Sequence, residues 1–232
     1  MRYSLWGALM LSAVSFASVS CGGDDGDGAV AGSEPTGKGE CGKGEYPGDH
    51  GTVRLCGKNA KCGKDGVPIE AFRGYTSYRW NMDITVGDEP DLSALSCLES
   101  VGGFTMGNGS SMTDLRGLER LKKASSVAVV KMEKFTSFAG LDSLASTVEV
   151  TVSFNDAMTD IAGLMPGFRM QRLAVYDNPV LTSLAGLAEV EITGRVMVDE
   201  NIALSKCIVD ELGDRFPNIE VVNSNNLEAT CP

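Results

Sequence analysis

The side chains in this sequence with obvious chemistry are seven cysteines, one histidine and an excess of carboxylates over cations. Cys56 and Cys62 have five residues between them, and Cys41 and Cys56 have fourteen. Neither spacing is the paired C-x2-C knuckle of a zinc ribbon, so disulfide chemistry is expected instead. His50 lies in a Gly-rich stretch and is the sole histidine, which makes a Ser-His-Asp arrangement improbable. Asp114, Asp142, Asp160 and Asp199 fall on positions that read as solvated, whereas a paired-carboxylate hydrolase needs two acids aimed into one cleft. "DDGDG" (24–28) lacks the glutamate that would complete a calcium loop. There is no Gly-rich phosphate loop. We expect no catalysis, no cofactor and no metal. The formal net charge of −11 opposes nucleic acid as a partner, because phosphate binding needs clustered Lys and Arg.

The N-terminus indicates the compartment. Arg2 supplies a positive flank to the short apolar run "LWGALMLSAVSFA" (5–17), followed by "SVSC" (18–21), the order of an export signal. Two readings of Cys21 follow. Ser18 and Ser20 can be the small residues of an ordinary secretory cleavage site. Alternatively, Cys21 is the lipid-modified first residue of a bacterial lipoprotein, which "SVSC" resembles, although Ser18 stands where the usual lipobox has Leu. Cysteine parity favours the second reading, since a lipid on Cys21 leaves six thiols for three bridges. The expectation is an exported protein, lipid-anchored in the cell envelope at the outer membrane or cell surface, with secretion as the alternative. No later apolar stretch approaches the roughly 18 residues a membrane span needs, so any membrane contact is expected through the anchor alone. "NGS" (108–110) matches a glycosylation sequon that would matter only on a eukaryotic route.

The expected organisation is a signal segment over 1–20 and a Gly/Asp-rich tether over 21–40. A small cysteine-containing cap over 41–79 follows, then a repeat domain over 80–232. The repeat is explicit: "MTDLRGL" (112–118), "FTSFAGL" (135–141), "MTDIAGL" (158–164) and "LTSLAGL" (181–187) start 23 residues apart. At the same interval Phe104, Val127, Val150, Leu173, Val196 and Ile219 form one column. Met106, Val129, Val152, Val175, Val198 and Val221 form another two residues later. Such alternation predicts one short strand per repeat with a single buried face. Met112, Leu115 and Leu118 with their counterparts predict a tight helical turn or irregular return. Gly117, Gly140, Gly163 and Gly186 precede the last of these columns, where a side chain would crowd the bend. Thr113, Thr136, Thr159, Thr182 and Ser205 form a polar column of no evident purpose. Backwards, Ile84, Val86, Leu92, Leu95 and Leu98 match Phe104, Met106, Met112, Leu115 and Leu118 at an offset of 20. Five full rungs, a partial sixth and a terminal strand near 219–222 are expected, each burying its apolar edge against its neighbours.

"LAVYDNPVLTSLAGLAEV" (173–190) resembles a leucine-rich repeat, and its "N-P-x-L-x-S-L-x-G-L" wording is similar to the receptor L-domain branch. Similar repeats occur in predicted bacterial lipoproteins. The resemblance spans 80–231 and implies a solenoid with short parallel strands in one sheet, acting by binding. Asn155, Asn178 and Asn201 stack in one column, which Ser224 continues, while Gly109 and Met132 stand there in the first two rungs. An asparagine ladder is therefore expected, incomplete at its start. "DELGDRFPNIE" (210–220) reads as a helix followed by the last strand. Cys207 and Cys231 are expected to pair and lock that end. Cys41, Cys56, Cys62 and Cys97 allow three connectivities, with a weak preference for Cys41–Cys56 and Cys62–Cys97.

The candidate binding face is the outward side of the strands, where Val130, Tyr176 and Asp199 share one column and Lys131, Phe154, Asp177 and Glu200 the next, flanked by Met197. Phe154 and Tyr176 on successive rungs suit protein recognition or stacking against sugar rings; they would otherwise only cover the sheet. The leading expectation is non-catalytic recognition of an envelope or extracellular protein or a surface glycan. A self-associating envelope or coat component comes second, and an enzyme or enzyme inhibitor third.

Overall fold

The computed structural model describes residues 41–48, 51–228 and 230–231. The signal segment, Cys21, the tether and His50 lie outside the described residues. Apolar residues at alternate positions give each repeat one strand whose inner side chains are shielded and whose outer ones are not. The strands are β1 (Val53–Cys56), β2 (Val67–Pro68), β3 (Ser77–Gly87), β4 (Ser100–Gly109), β5 (Ser126–Met132), β6 (Ser146–Ser153), β7 (Arg169–Tyr176), β8 (Glu191–Asp199) and β9 (Glu220–Ser224). They form one open sheet of nine parallel strands in the order β2-β1-β3-β4-β5-β6-β7-β8-β9. The residues expected to form a separate cap thus supply β1, β2 and the start of β3, and extend the same sheet. Among the described residues the one α-helix is α1 (Lys206–Arg215), and none is long and apolar enough to cross a membrane.

Between strands the chain returns through tight turns that carry the second half of the core. Met112, Leu115, Leu118, Phe135, Phe138 and Leu141 are all at most 2 % exposed, opposite Val127, Val129, Val150 and Val152. Phe135 and Phe138 meet edge to face, with ring centroids 5.4 Å apart. The return glycines sit where backbones touch: Gly140 has a φ of 109°, and a Cβ there would lie 2.3 Å from the Leu115 carbonyl oxygen. The polar column acquires a purpose as well. The Thr136 amide and hydroxyl both donate to the Thr113 carbonyl, at 2.9 and 3.3 Å, and Thr182 does the same to Thr159. Ser205 instead caps α1, accepting from the Cys207 amide.

Three details differ from the sequence expectation. β3 pairs with β4 at an offset of 22, placing Met82 beside Phe104 and Ile84 beside Met106, because a bulge between Tyr78 and Asn81 shifts the register. The return stretch keeps the 23-residue period, since a Cβ on Gly117 would strike Leu92 as one on Gly140 would strike Leu115. No deletion of three residues follows Leu98. At the other end β8 pairs with β9 at an offset of 25, so Val221 and Asn223, not Ile219 and Val221, follow Val196 and Val198. Insertion of α1 lengthens that rung.

The bridges are Cys41–Cys97, Cys56–Cys62 and Cys207–Cys231. The terminal pair is the expected one, whereas the preferred Cys41–Cys56 and Cys62–Cys97 connectivity is replaced. The cause is local. Residues after Cys41 run beside the start of β3, with Gly42 and Tyr46 amides donating to the carbonyls of Gly74 and Ser77. That brings Cys41 against the return containing Cys97, while the turn after β1 brings Cys62 back to Cys56.

Candidate functional site

Each strand must leave the sheet sharply to enter its return, and one residue per rung makes that corner. Asn108, Lys131, Phe154, Asp177, Glu200 and Asn225 all have left-handed backbones, with φ between 51° and 57°. An L-residue in this conformation costs roughly 1–2 kcal/mol, least for Asn and Asp. Phe, Lys and Glu lack the short polar side chain that eases this conformation in Asn and Asp. The next position holds the corner in place. The Oδ1 atoms of Asn155, Asn178, Asn201 and Asn226 accept from the amides of Met132, Asn155, Asn178 and Asn201 at 3.0–3.2 Å. Their Nδ2 groups donate to the carbonyls of Val129, Val152, Val175 and Val198. All four asparagines are at most 9 % exposed. The ladder begins where expected, but Asn226 and not Ser224 continues it, because of the longer last rung. Ser224 faces outward and donates to the Asp199 carboxylate at 2.8 Å. At the ladder's start Met132 takes the asparagine position, and its sulfur lies in the space that a Cβ on Gly109 would need.

The structure brings the sequence-predicted face together. Val130, Ser153, Tyr176 and Asp199 are register partners on the outer side of β5 to β8, and Met197 lies beside Ala174 one column inward. Lys131, Phe154, Asp177 and Glu200 edge this surface as corner residues. Phe154 is 44 % exposed, and the Lys131 ammonium sits 5.7 Å from its ring centroid, within cation–π range. Tyr176 is half-buried against the sheet. Desolvation raises its pKa, countered by a hydrogen bond with Thr151. The two residues stand on different columns, Tyr176 half-buried and Phe154 exposed. Glu200 is held above the usual carboxylate range, first by the Asp177 charge and then by Asp199. Among the described residues no group of three or more His, Cys, Asp or Glu is placed to hold a metal ion.

Two further surfaces escaped the sequence reading. A trough of about 560 Å³ crosses the entrances of the strands, with Gly102, Ser125, Val148 and Gln171 along it. Their common offset of 23 was available as a signal, but the mixture of types concealed it. The other is the residue after the ladder asparagine, which changes from Asp156 to Pro179 and Ile202 along the stack, whereas Leu227, which follows Asn226, pairs with Ser205. Comparison of the chain with known protein families, with curated proteins and with solved structures returned no match. The three disulfides fit an oxidising setting, extracellular or periplasmic.

Proposed function

We propose that this chain is a non-catalytic recognition module of the leucine-rich, L-domain kind, held at the cell envelope by a lipid on Cys21, and that it binds an envelope or extracellular protein or a surface glycan through the outer strand face. The observation that carries the reading is Phe154: a large aromatic, exposed and held in a left-handed conformation that glycine would adopt freely. Strain of this sort is retained where surrounding structure enforces it and clusters at functional positions. The parallel sheet and the asparagine ladder support the repeat type, and the cysteine parity supports the anchor.

The test separates binding from folding. Phe154→Gly relieves the corner and should raise stability to urea by about 1 kcal/mol, while reducing capture of the native ligand from a cross-linked envelope preparation. Undiminished capture by this variant and by Tyr176→Ala would overturn the role of the face. Mass spectrometry of the exported N-terminus tests the anchor independently: an unmodified Cys21 removes it.

A further inference from the structure

We propose that the free edge of β9 pairs with the same edge of a second copy of this chain, antiparallel and two-fold symmetric about Val222. The sheet has two edges, and they differ. At one end β2 is two residues long and includes Pro68, which has no amide hydrogen to donate, so that edge is blunted against further pairing. At the other end β9 has five residues, EVVNS, with neither proline nor lysine. Among the described residues no strand lies beyond it. Backbone groups alternate in direction along a strand. The Ser224 carbonyl accepts from the Glu200 amide of the preceding rung, so Glu220, Val222 and Ser224 turn their amides and carbonyls towards β8. Those of Val221 and Asn223 point away from it. The asparagine ladder stops at the same place. The Val129, Val152, Val175 and Val198 carbonyls each accept from the asparagine of a later rung, and no asparagine follows Asn226 to serve Asn223, the register partner of Val198. The helix α1 covers the inner side of β9, where a Cβ on Gly213 would meet Val221 at 3.7 Å. Val221 nevertheless stays partly exposed, whereas Val196 beside it is at 0 %.

The occupant of a row of unpaired amides and carbonyls is another strand, and the sequence of β9 suits its own copy. Antiparallel pairing about Val222 sets Val221 against the partner's Asn223, and Asn223 against the partner's Val221. Each of these pairs exchanges two hydrogen bonds, so the outward backbone groups of Val221 and Asn223 are used in both copies. On the outer side Val222 meets the partner's Val222 at the closer, non-hydrogen-bonded position, with Met197 next to it on β8. Glu220 stands opposite the partner's Ser224, so no acid faces an acid, and its carboxylate is already paired with Arg195 of its own chain. The blunted β2 edge offers no comparable match. The two sheets become one, continuous through both copies, and neither β9 nor Val222 belongs to the Phe154 face. One strand pair is a small interface, which places the dimer on the order of micromolar affinity.

The experiment is sedimentation velocity of the exported chain carrying Cys21→Ser, so that no lipid contributes to association. It should show a monomer–dimer equilibrium that tightens as salt rises, because each copy carries a net charge of −11 and screening weakens their repulsion. Val222→Lys and Val222→Glu each set like charges directly opposite one another at the two-fold axis, and each should weaken the dimer at least about tenfold. Mixed in equal amounts, the two variants should associate again, as a heterodimer, which only contact of Val222 with its own counterpart explains. Val222 is a partly exposed edge residue, and unchanged thermal unfolding of both variants checks the fold. Phe154→Gly should dimerise as the parent does, which separates failure of this proposal from failure of the strand-face reading. A parent that stays monomeric at about 100 µM, where a micromolar dimer is well populated, overturns the proposal. So does a dimer that either Val222 variant leaves intact, or a mixture of the two that does not associate. A monomeric parent that instead binds an extended peptide of alternating valines and threonines, with Val222→Lys weakening it, overturns the proposal in favour of a strand from another protein.

Discussion

Asn178 concentrates the polar stability of the stack in one side chain. It accepts from the Asn155 amide and donates to Val152 and Tyr176 carbonyls, all within 3.2 Å. Asn178→Ala leaves several of these buried groups unpaired and should cost about 2–4 kcal/mol in urea unfolding, at about 1–3 kcal/mol per orphaned group. Asp83 shows the opposite case. It lies on the outer side of β3 beside Arg54, and burial raises its carboxyl above the ordinary range despite that cation. A raised folded pKa means the favourable contribution exists below the unfolded value, about 4, and is lost as pH rises through the folded one. At neutral pH the ionised form is the disfavoured one. Asp83→Asn should therefore raise the melting temperature at pH 7, and the gain should fade as the pH is lowered through Asp83's titration; a constant gain would contradict the burial.

At the scale of elements the returns are less tolerant than the strands' outer faces. Gly140→Ala sets a Cβ 2.3 Å from the Leu115 carbonyl oxygen, whereas Gly167, with a φ of 74°, has nothing within 4 Å. Gly167→Ala should cost only the left-handed conformation, about 1–2 kcal/mol, and Gly140→Ala more, with both read by thermal unfolding. What the sequence reveals about these elements follows from recurrence. Val127, Val150 and Leu173 occupy equivalent environments, so the same chemistry returns at a constant interval and the strand, its buried face and the bend glycine can all be read. The bulge at Arg79 and Trp80 is a single added residue that leaves the apolar alternation intact on both sides, so Ile84 and Phe104 looked equivalent when Met82 and Phe104 are. The two residues added with α1 likewise made Ser224 look like the successor of Asn201. The corner conformation was illegible for another reason: Lys131, Phe154, Asp177 and Glu200 share a backbone geometry but no side-chain chemistry. The face was found as an exposed column, without its strain.

For the whole molecule, the three bridges differ chiefly in the length of chain they close. Cys41–Cys97, Cys207–Cys231 and Cys56–Cys62 span sequence separations of 56, 24 and 6. The loop-closure model gives losses of about 4, 3.5 and 2.5 kcal/mol on replacing each pair by serine, a ranking that urea unfolding of the three double variants can test. An inverted order would mean that the ends are held by their packing and not by their bridges.

The asparagine ladder also gives the stack a direction. Every side-chain oxygen from Asn155 to Asn226 accepts from the rung before it, and the series stops at Met132. Ahead of that point the Cys41–Cys97 bridge clamps the first rungs covalently. Between clamp and ladder lie two junctions, β3 against β4 and β4 against β5, joined by backbone pairing, packing and side-chain bonds such as Thr136 to the Thr113 carbonyl and Ser143 to the Glu119 carbonyl, with no ladder asparagine. Under tension from the N-terminal end, this stretch without ladder asparagines should be the mechanical fuse, parting first and leaving the strands beyond it stacked.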